Sequence, residues 1–173
     1  MNLQSIVRTY ITRIRPGLNN ELSWYRQQPT LEEAIQFAAL AINSRGKRYS
    51  HQRRLSRSVL ERACTLLLAN ESKLTQCKDF DQLHSFLEAL LAPIKGIGAL
   101  YVYDTALRIG AKLGLLPSKV YLHAGTRVGA RALGLDSKAK AIEILQLPEE
   151  LQQLAPYEIE DALCIFKDRL GAA

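Results

Sequence analysis

Residues 90–114 read LLAPIKGIGALYVYDTALRIGAKLG. Pro93 cannot continue the helix that precedes it, and Gly96 and Gly98 stand one residue apart ahead of an apolar run at helical spacing. The order helix, APIKGIG, helix predicts a tight hairpin between two helices. Glycine admits positive φ and lets another backbone or a ligand come close, because it has no Cβ. Ile94 and Ile97 can anchor the turn on both helices. The amides of residues 98–100 then open the second helix, where they lack intrahelical partners and carry the positive end of the helix dipole. A phosphate is a natural occupant of such a position, with the charge of Lys95 beside it. A purely structural corner is the other reading of the same glycines.

Outward from the hairpin the helical period recurs. Asp79 caps a helix that stops at Pro93, and a helix over 99–113 is closed by Gly114. Upstream, Thr30 and Glu33 have the spacing of a capping box, and Leu31, Ile35, Ala38 and Ile42 form one apolar face that ends over 43–46. Ser56 or Ser58 starts another helix, running to about Asn70, with Val59, Leu60, Ala63, Leu66 and Leu67 inward. Residues 2–14 place Leu3, Ile6, Val7, Tyr10 and Ile14 at helix spacing. Downstream, short helices are predicted over 118–123, over 125–133 with Gly134 as terminator, and over 137–145. Two more follow, from Pro148 and Pro156. No alternating strand period, fixed repeat or low-complexity linker interrupts them. The sum is an all-α, compact multi-helix fold, read as a single domain over 1–173. Its hairpin spans about 79–114, its basic loop 44–57 and its acidic helices 141–173.

The chain has 173 residues, 47% of them apolar and 23% charged, with a formal net charge of +6. The charge is unevenly spread. Residues 45–62 carry seven basic and one acidic side chain, 95–140 carry eight and two, and 141–173 reverse to two and seven. Two separate basic stretches suggest a cationic face for a polyanion. No apolar run approaches the roughly 20 residues needed to span a bilayer, and the N-terminus lacks the apolar core of a secretory signal. Arg8, Arg13 and Arg15 among apolar residues fit an amphipathic helix of the fold. Cys64, Cys77 and Cys164 are three in number and far apart, so reduced thiols in a cytoplasmic protein are expected.

The hairpin, through Leu91, Ile94, Gly96, Ile97, Gly98 and the apolar Val102, resembles the helix-hairpin-helix family, a sequence-nonspecific DNA-binding element of repair and replication proteins. The resemblance implies contact with phosphates through the amides of Gly96, Gly98 and their neighbours. It also implies an alkali ion, sodium or potassium, on the carbonyls of Ala92, Ile94 and Ile97. No other cofactor is expected. A wider likeness extends to the helix-hairpin-helix DNA glycosylases. There VYLH (120–123) stands against the family's V-D-T-H, with His123 matching the histidine and Tyr121 in place of the catalytic aspartate. Leu100 occupies the position of the lysine nucleophile. Base excision needs a carboxylate, and an amine where a Schiff base forms, so standard glycosylase chemistry is not expected.

Outside the hairpin, GKRYSHQRRLSR (46–57) interleaves cations with Tyr49 and His51. Arg45, Lys47, Arg48, Arg53 and Arg54 are candidates for phosphate contact, and a solvated loop is the alternative. HAGTRVGAR (123–131) puts Arg127 and Arg131 on one helix face, as a second anion cradle or as a close helix contact built on small residues. His123 and Asp104 are the catalytic candidates, with a structural role the commoner outcome for each. The histidines do not have the spacing of metal ligands. The expected activity is weakly sequence-specific DNA binding in repair or processing. The alternatives are a helical adaptor that meets a protein partner or its own copy, and a divergent enzyme acting on a nucleic acid base.

Overall fold

The computed structural model describes residues 2–171. Among the described residues the chain is all-α apart from one short antiparallel strand pair. It divides into two compact units, one spanning Asn20–Leu116 (the hairpin unit), the other joining the residues up to Asn19 with those from Pro117 onward (the terminal unit). No helix among the described residues is long and apolar enough to cross a membrane.

In the hairpin unit the helix Ala99–Leu113 (α7) is central. From Tyr101 to Ala111 every residue but Asp104 is buried, as expected of a helix that is apolar nearly all round. The helices Leu31–Ala39 (α3) and Phe80–Leu91 (α6) pack against it, and Arg57–Leu68 (α4) packs against both of these. The predicted caps form. Thr30 Oγ1 accepts from the Glu33 amide at 3.1 Å while Glu33 accepts from the Thr30 amide at 3.2 Å. Asp79 Oδ1 accepts from the Gln82 amide at 2.8 Å, and Ser56 rather than Ser58 caps α4. Gly114 closes α7 at φ 76°. The face of α3 ends earlier than the sequence suggests. Ala39 is its last residue, and Ala41 turns the chain with φ 55°.

The terminal unit opens with Leu3–Thr9 (α1), which runs through a π turn, Tyr10–Ile14, into the helix Arg15–Arg26 (α2), whose residues from Asn20 on belong to the hairpin unit. The helix thus continues beyond residue 14, and Pro16 falls just after the wide turn, where the backbone ladder has already changed register. In an α-helix residues 10 and 15 diverge by about 140°. The π turn, closed by the Arg15 amide on the Tyr10 carbonyl, brings them over one another. Both then reach the helix Pro156–Ile165 (α10). Tyr10 donates to Asp161 Oδ2 at 3.1 Å, and Arg15 forks onto Glu158 at 2.6 and 2.9 Å.

Two predicted helices are corrected. Residues 118–123 contain the strand Val120–Tyr121 (β1), and 137–145 contain Ala141–Ile142 (β2), paired with it in the register Val120↔Ile142. Val120, Tyr121 and Leu122 are all buried, so the run is apolar on both faces and shows no alternation. Periodicity cannot tell so short a buried strand from a helical piece. The helix between the strands, Ala124–Ala132 (α8), forms as predicted and ends before Gly134 at φ 73°. Its small residues serve close packing. A Cβ on Gly125 would lie 2.5 Å from Cys164 Sγ, and one on Gly129 would overlap the Leu163 carbonyl of α10.

Gly129→Ala should therefore cost the terminal unit about 2–4 kcal/mol in urea unfolding, because backbone rather than a flexible side chain must yield. A loss under about 0.5 kcal/mol would show that α8 and α10 are not in backbone contact.

Candidate nucleic-acid interface

The hairpin turn lies between α6 and α7. After Ala92 the chain turns through an Ile94 amide bond to the Leu91 carbonyl (3.0 Å) and an Ile97 amide bond to the Ile94 carbonyl (3.2 Å). Ile94 is buried and anchors the turn, while Lys95, Gly96, Gly98 and Ala99 are exposed. The two glycines differ in kind. Gly96 has φ 99°, a left-handed conformation that a side chain would strain. Gly98 is the N-cap of α7 at φ −114°, extended backbone open to any residue, and a Cβ there would meet nothing within 4 Å. Neither backbone nor packing requires glycine at 98. Its absent side chain leaves the opening amides of a 15-residue helix uncapped and approachable.

A second helix start lies beside this turn. The nearest atom to a Cβ on Gly96 would be Val59 Cγ2 at 4.0 Å, in the first turn of α4. Arg57 and Ser58 occupy that same turn, and the arginine-rich segment leads straight into its cap, Ser56. Gly96 thus lies against the first turn of α4, which Arg57 opens, and Lys95, Gly98, Arg53, Arg54 and Arg57 are all exposed.

The segment itself is built from the inside. Ser44 Oγ and the Ser44 amide donate to Glu21 at 2.5 and 3.1 Å, and the Tyr49 hydroxyl donates to Glu21 at 2.7 Å. Gln52, buried, donates to Asp104 Oδ2 at 2.5 Å. The guanidinium carbon of Arg108 lies 3.9 Å from the Tyr49 ring centroid, and Arg108 Nη2 reaches Asp104 at 3.4 Å. Arg45, Lys47, Arg53 and Arg54 point outward and are exposed. Arg48 is half-buried and donates to the Leu55 carbonyl at 3.0 Å, so this predicted contact residue braces the loop.

Charge states follow these contacts. Burial works to lower the Arg108 pKa, but Asp104 and the surrounding tyrosines outweigh it and hold the group firmly protonated. Burial pushes Tyr25 up to about 12 and raises Tyr49 further. For Glu21, burial acts to raise the value, but the hydrogen bonds from Ser44 and Tyr49 prevail and hold it below the ordinary 4.5.

The other candidates sit differently. Asp104 is engaged by Gln52 and Arg108, the setting of a structural ion pair. His123, buried in the terminal unit, has its Nε2 2.9 Å from Glu160 Oε1, and its amide donates to Thr126 Oγ1 at 2.7 Å at the start of α8. A cleft on that unit is lined by Gln4, Val7 and Arg8 with Glu149, Glu150 and Gln153, and His123 is not in its wall. Arg127 donates to the Ser137 carbonyl at 2.5 Å, while Arg131 is exposed. Both belong to the terminal unit. Among the described residues no group of three or more His, Cys, Asp or Glu gathers to hold a metal. The anchors Glu21, Gln52 and Arg108 were not singled out in the sequence. An arginine in the middle of an otherwise apolar helix was the available signal. Compared with family models, with curated proteins and with solved structures, the chain found no match.

Gly96→Ala should destabilise the hairpin unit by about 1–2 kcal/mol in thermal or urea unfolding. Loss at the level of a neutral surface change would contradict the left-handed turn. Acid provides a second check. Because Glu21 has a lowered folded value, its contribution is complete above the ordinary glutamate range and is lost as pH falls through the folded value. Glu21→Gln should lower Tm at neutral pH and flatten its fall under acid. Parallel wild-type and variant curves would refute the assignment.

Proposed function

We propose that the hairpin unit binds the phosphate backbone of a nucleic acid, with DNA the partner to which the helix-hairpin-helix resemblance points. The observation that supports this reading is the approach of Gly96 to Val59 in the first turn of α4, beside the exposed and uncapped start of α7, with Lys95, Arg53, Arg54 and Arg57 exposed in the same two segments. Uncapped amides and mobile cations recognise the same group, an oxyanion, from complementary directions. Arg45 and Lys47 extend the cationic surface along the segment. The contacts are to backbone and carry little sequence information, so specificity is weak.

The bland alternative, a corner that is merely tight, explains Gly96 but leaves Gly98 without a reason. For the alkali ion implied by the resemblance, the fit is partial. The Ile94 carbonyl already accepts the Ile97 amide and has one lone pair left, and the Ala92 and Ile97 carbonyls would complete the set. Asp104 is held by Gln52 and Arg108, and His123 lies buried beside Glu160.

Gly98→Asp separates the readings because it acts in opposite senses. Aspartate is a favoured N-cap and needs no new space here, so folding stability should hold or rise by up to about 1 kcal/mol. The same carboxylate would cover the amides and repel phosphate. Duplex DNA affinity, followed by fluorescence anisotropy, should fall about tenfold or more. For the wild type, log K against log salt should slope at about −3 to −5. A flat salt profile, or a Gly98→Asp variant that binds like the wild type, would overturn the proposal.

A further inference from the structure

We propose that Arg108 holds the arginine-rich segment in its binding geometry before any partner arrives, which makes it a positioning residue of the interface. The inference rests on the functional reading above for its consequence but on separate observations for its mechanism. Within residues 44–54 the side chains divide by direction. Tyr49 and Gln52 turn inward onto Arg108 and Asp104, while Ser44, itself exposed, fastens the start of the segment to Glu21 at the surface. Arg45, Lys47, Arg53 and Arg54 turn outward. Like charges crowded on one short loop repel one another. The gathering is done from beneath, where a cation stacks on one ring and pairs with one carboxylate.

Arg108 is an expensive way to fill a core. It is 7% exposed, and burying a guanidinium is often no better for stability than burying a well-packed apolar side chain of similar size. What an apolar side chain would not supply is direction. A guanidinium fixes the plane of Tyr49 above it and the position of Asp104 beside it, and through Asp104 that of Gln52. The anchor lies about 15 Å along α7 from Gly98 and Asp104 about 9 Å, so one rigid helix carries both the hairpin amides and the fastening of the loop. The spacing between the two cationic elements is thus set by a helix rather than by the ligand.

Limited trypsin digestion without nucleic acid reads the order of the segment directly, since trypsin cuts after the very cations in question. The wild type should resist cleavage after residues 45–54. Arg108→Met and Tyr49→Leu should each be cut there about tenfold faster, as the opened population grows, with helical content by circular dichroism unchanged. Their duplex DNA affinity should fall, and the salt slope should become shallower by about one to two units as loop contacts become disordered. A merely structural role would speed cleavage at sites throughout the unit and leave the salt slope alone. If Arg108→Met does not fold, Tyr49→Leu decides the matter, because Tyr49 is only half-buried. Wild-type cleavage at the rate of an unfolded chain, or both variants resisting and binding as the wild type does, overturns the proposal. A wild type that is protease-resistant at the segment but does not bind DNA refutes the functional reading and with it the positioning role.

Discussion

The organisation of the hairpin unit depends on a buried guanidinium. Arg108 sits in the middle of an apolar helix, and its charge has to be compensated where water does not reach. Asp104, one turn earlier on the same helix, supplies the counter-charge, and the guanidinium stacks on the face of Tyr49. Once those partners are fixed, much of the neighbouring structure follows. Tyr49 must lie over α7, so the loop that carries it must fold back. Glu21 receives the Tyr49 hydroxyl and both donors of Ser44, and the loop closes on itself through the Ile42–Arg48 bridge. Arg48 braces the loop, and Arg45, Lys47, Arg53 and Arg54 are left on the outer surface.

The terminal unit handles its charges by a related logic. Glu158, Glu160 and Asp161 crowd α10. Arg15 donates to Glu158 and Tyr10 to Asp161, and His123 Nε2 lies 2.9 Å from Glu160. Those two donors share a face only because the helix widens by one residue at Tyr10–Ile14. The small residues of α8 then let it approach α10 closely enough for Gly129 to touch backbone. The acidic excess of the last 33 residues is thus partly consumed by contacts within the unit.

What the sequence made legible were the features whose cause is local. Thr30, Ser56, Asp79, Pro93 and Gly114 act on the amides and carbonyls next to them, and each marks a helix end where expected. The hairpin between α6 and α7 was legible for the same reason. The strand pair was not, because Val120–Leu122 is buried on both faces and its partner lies some 20 residues on, beyond the reach of any short window. The π turn left no local mark either. At the candidate site, the exposed cations and glycines could be read from residue type alone. The roles of Gln52, Asp104 and Arg108 could not, since each is defined by a contact across the fold. That is also why Arg48, one cation among many in the sequence, proves to be a brace.

If the hairpin unit recognises a nucleic-acid backbone, oxyanions dock on the amides at the start of α7 and on the cations of the segment that leads into α4. Amide chemical shifts of the isotopically labelled chain, followed while a short DNA duplex is added at low and then at moderate salt, test it most directly. The account expects the largest shifts at residues 96–100 and 53–58, reversing as salt is raised, with the amides in the middle of α7 unmoved. Shifts confined to other surfaces, or none at saturating duplex, would contradict it.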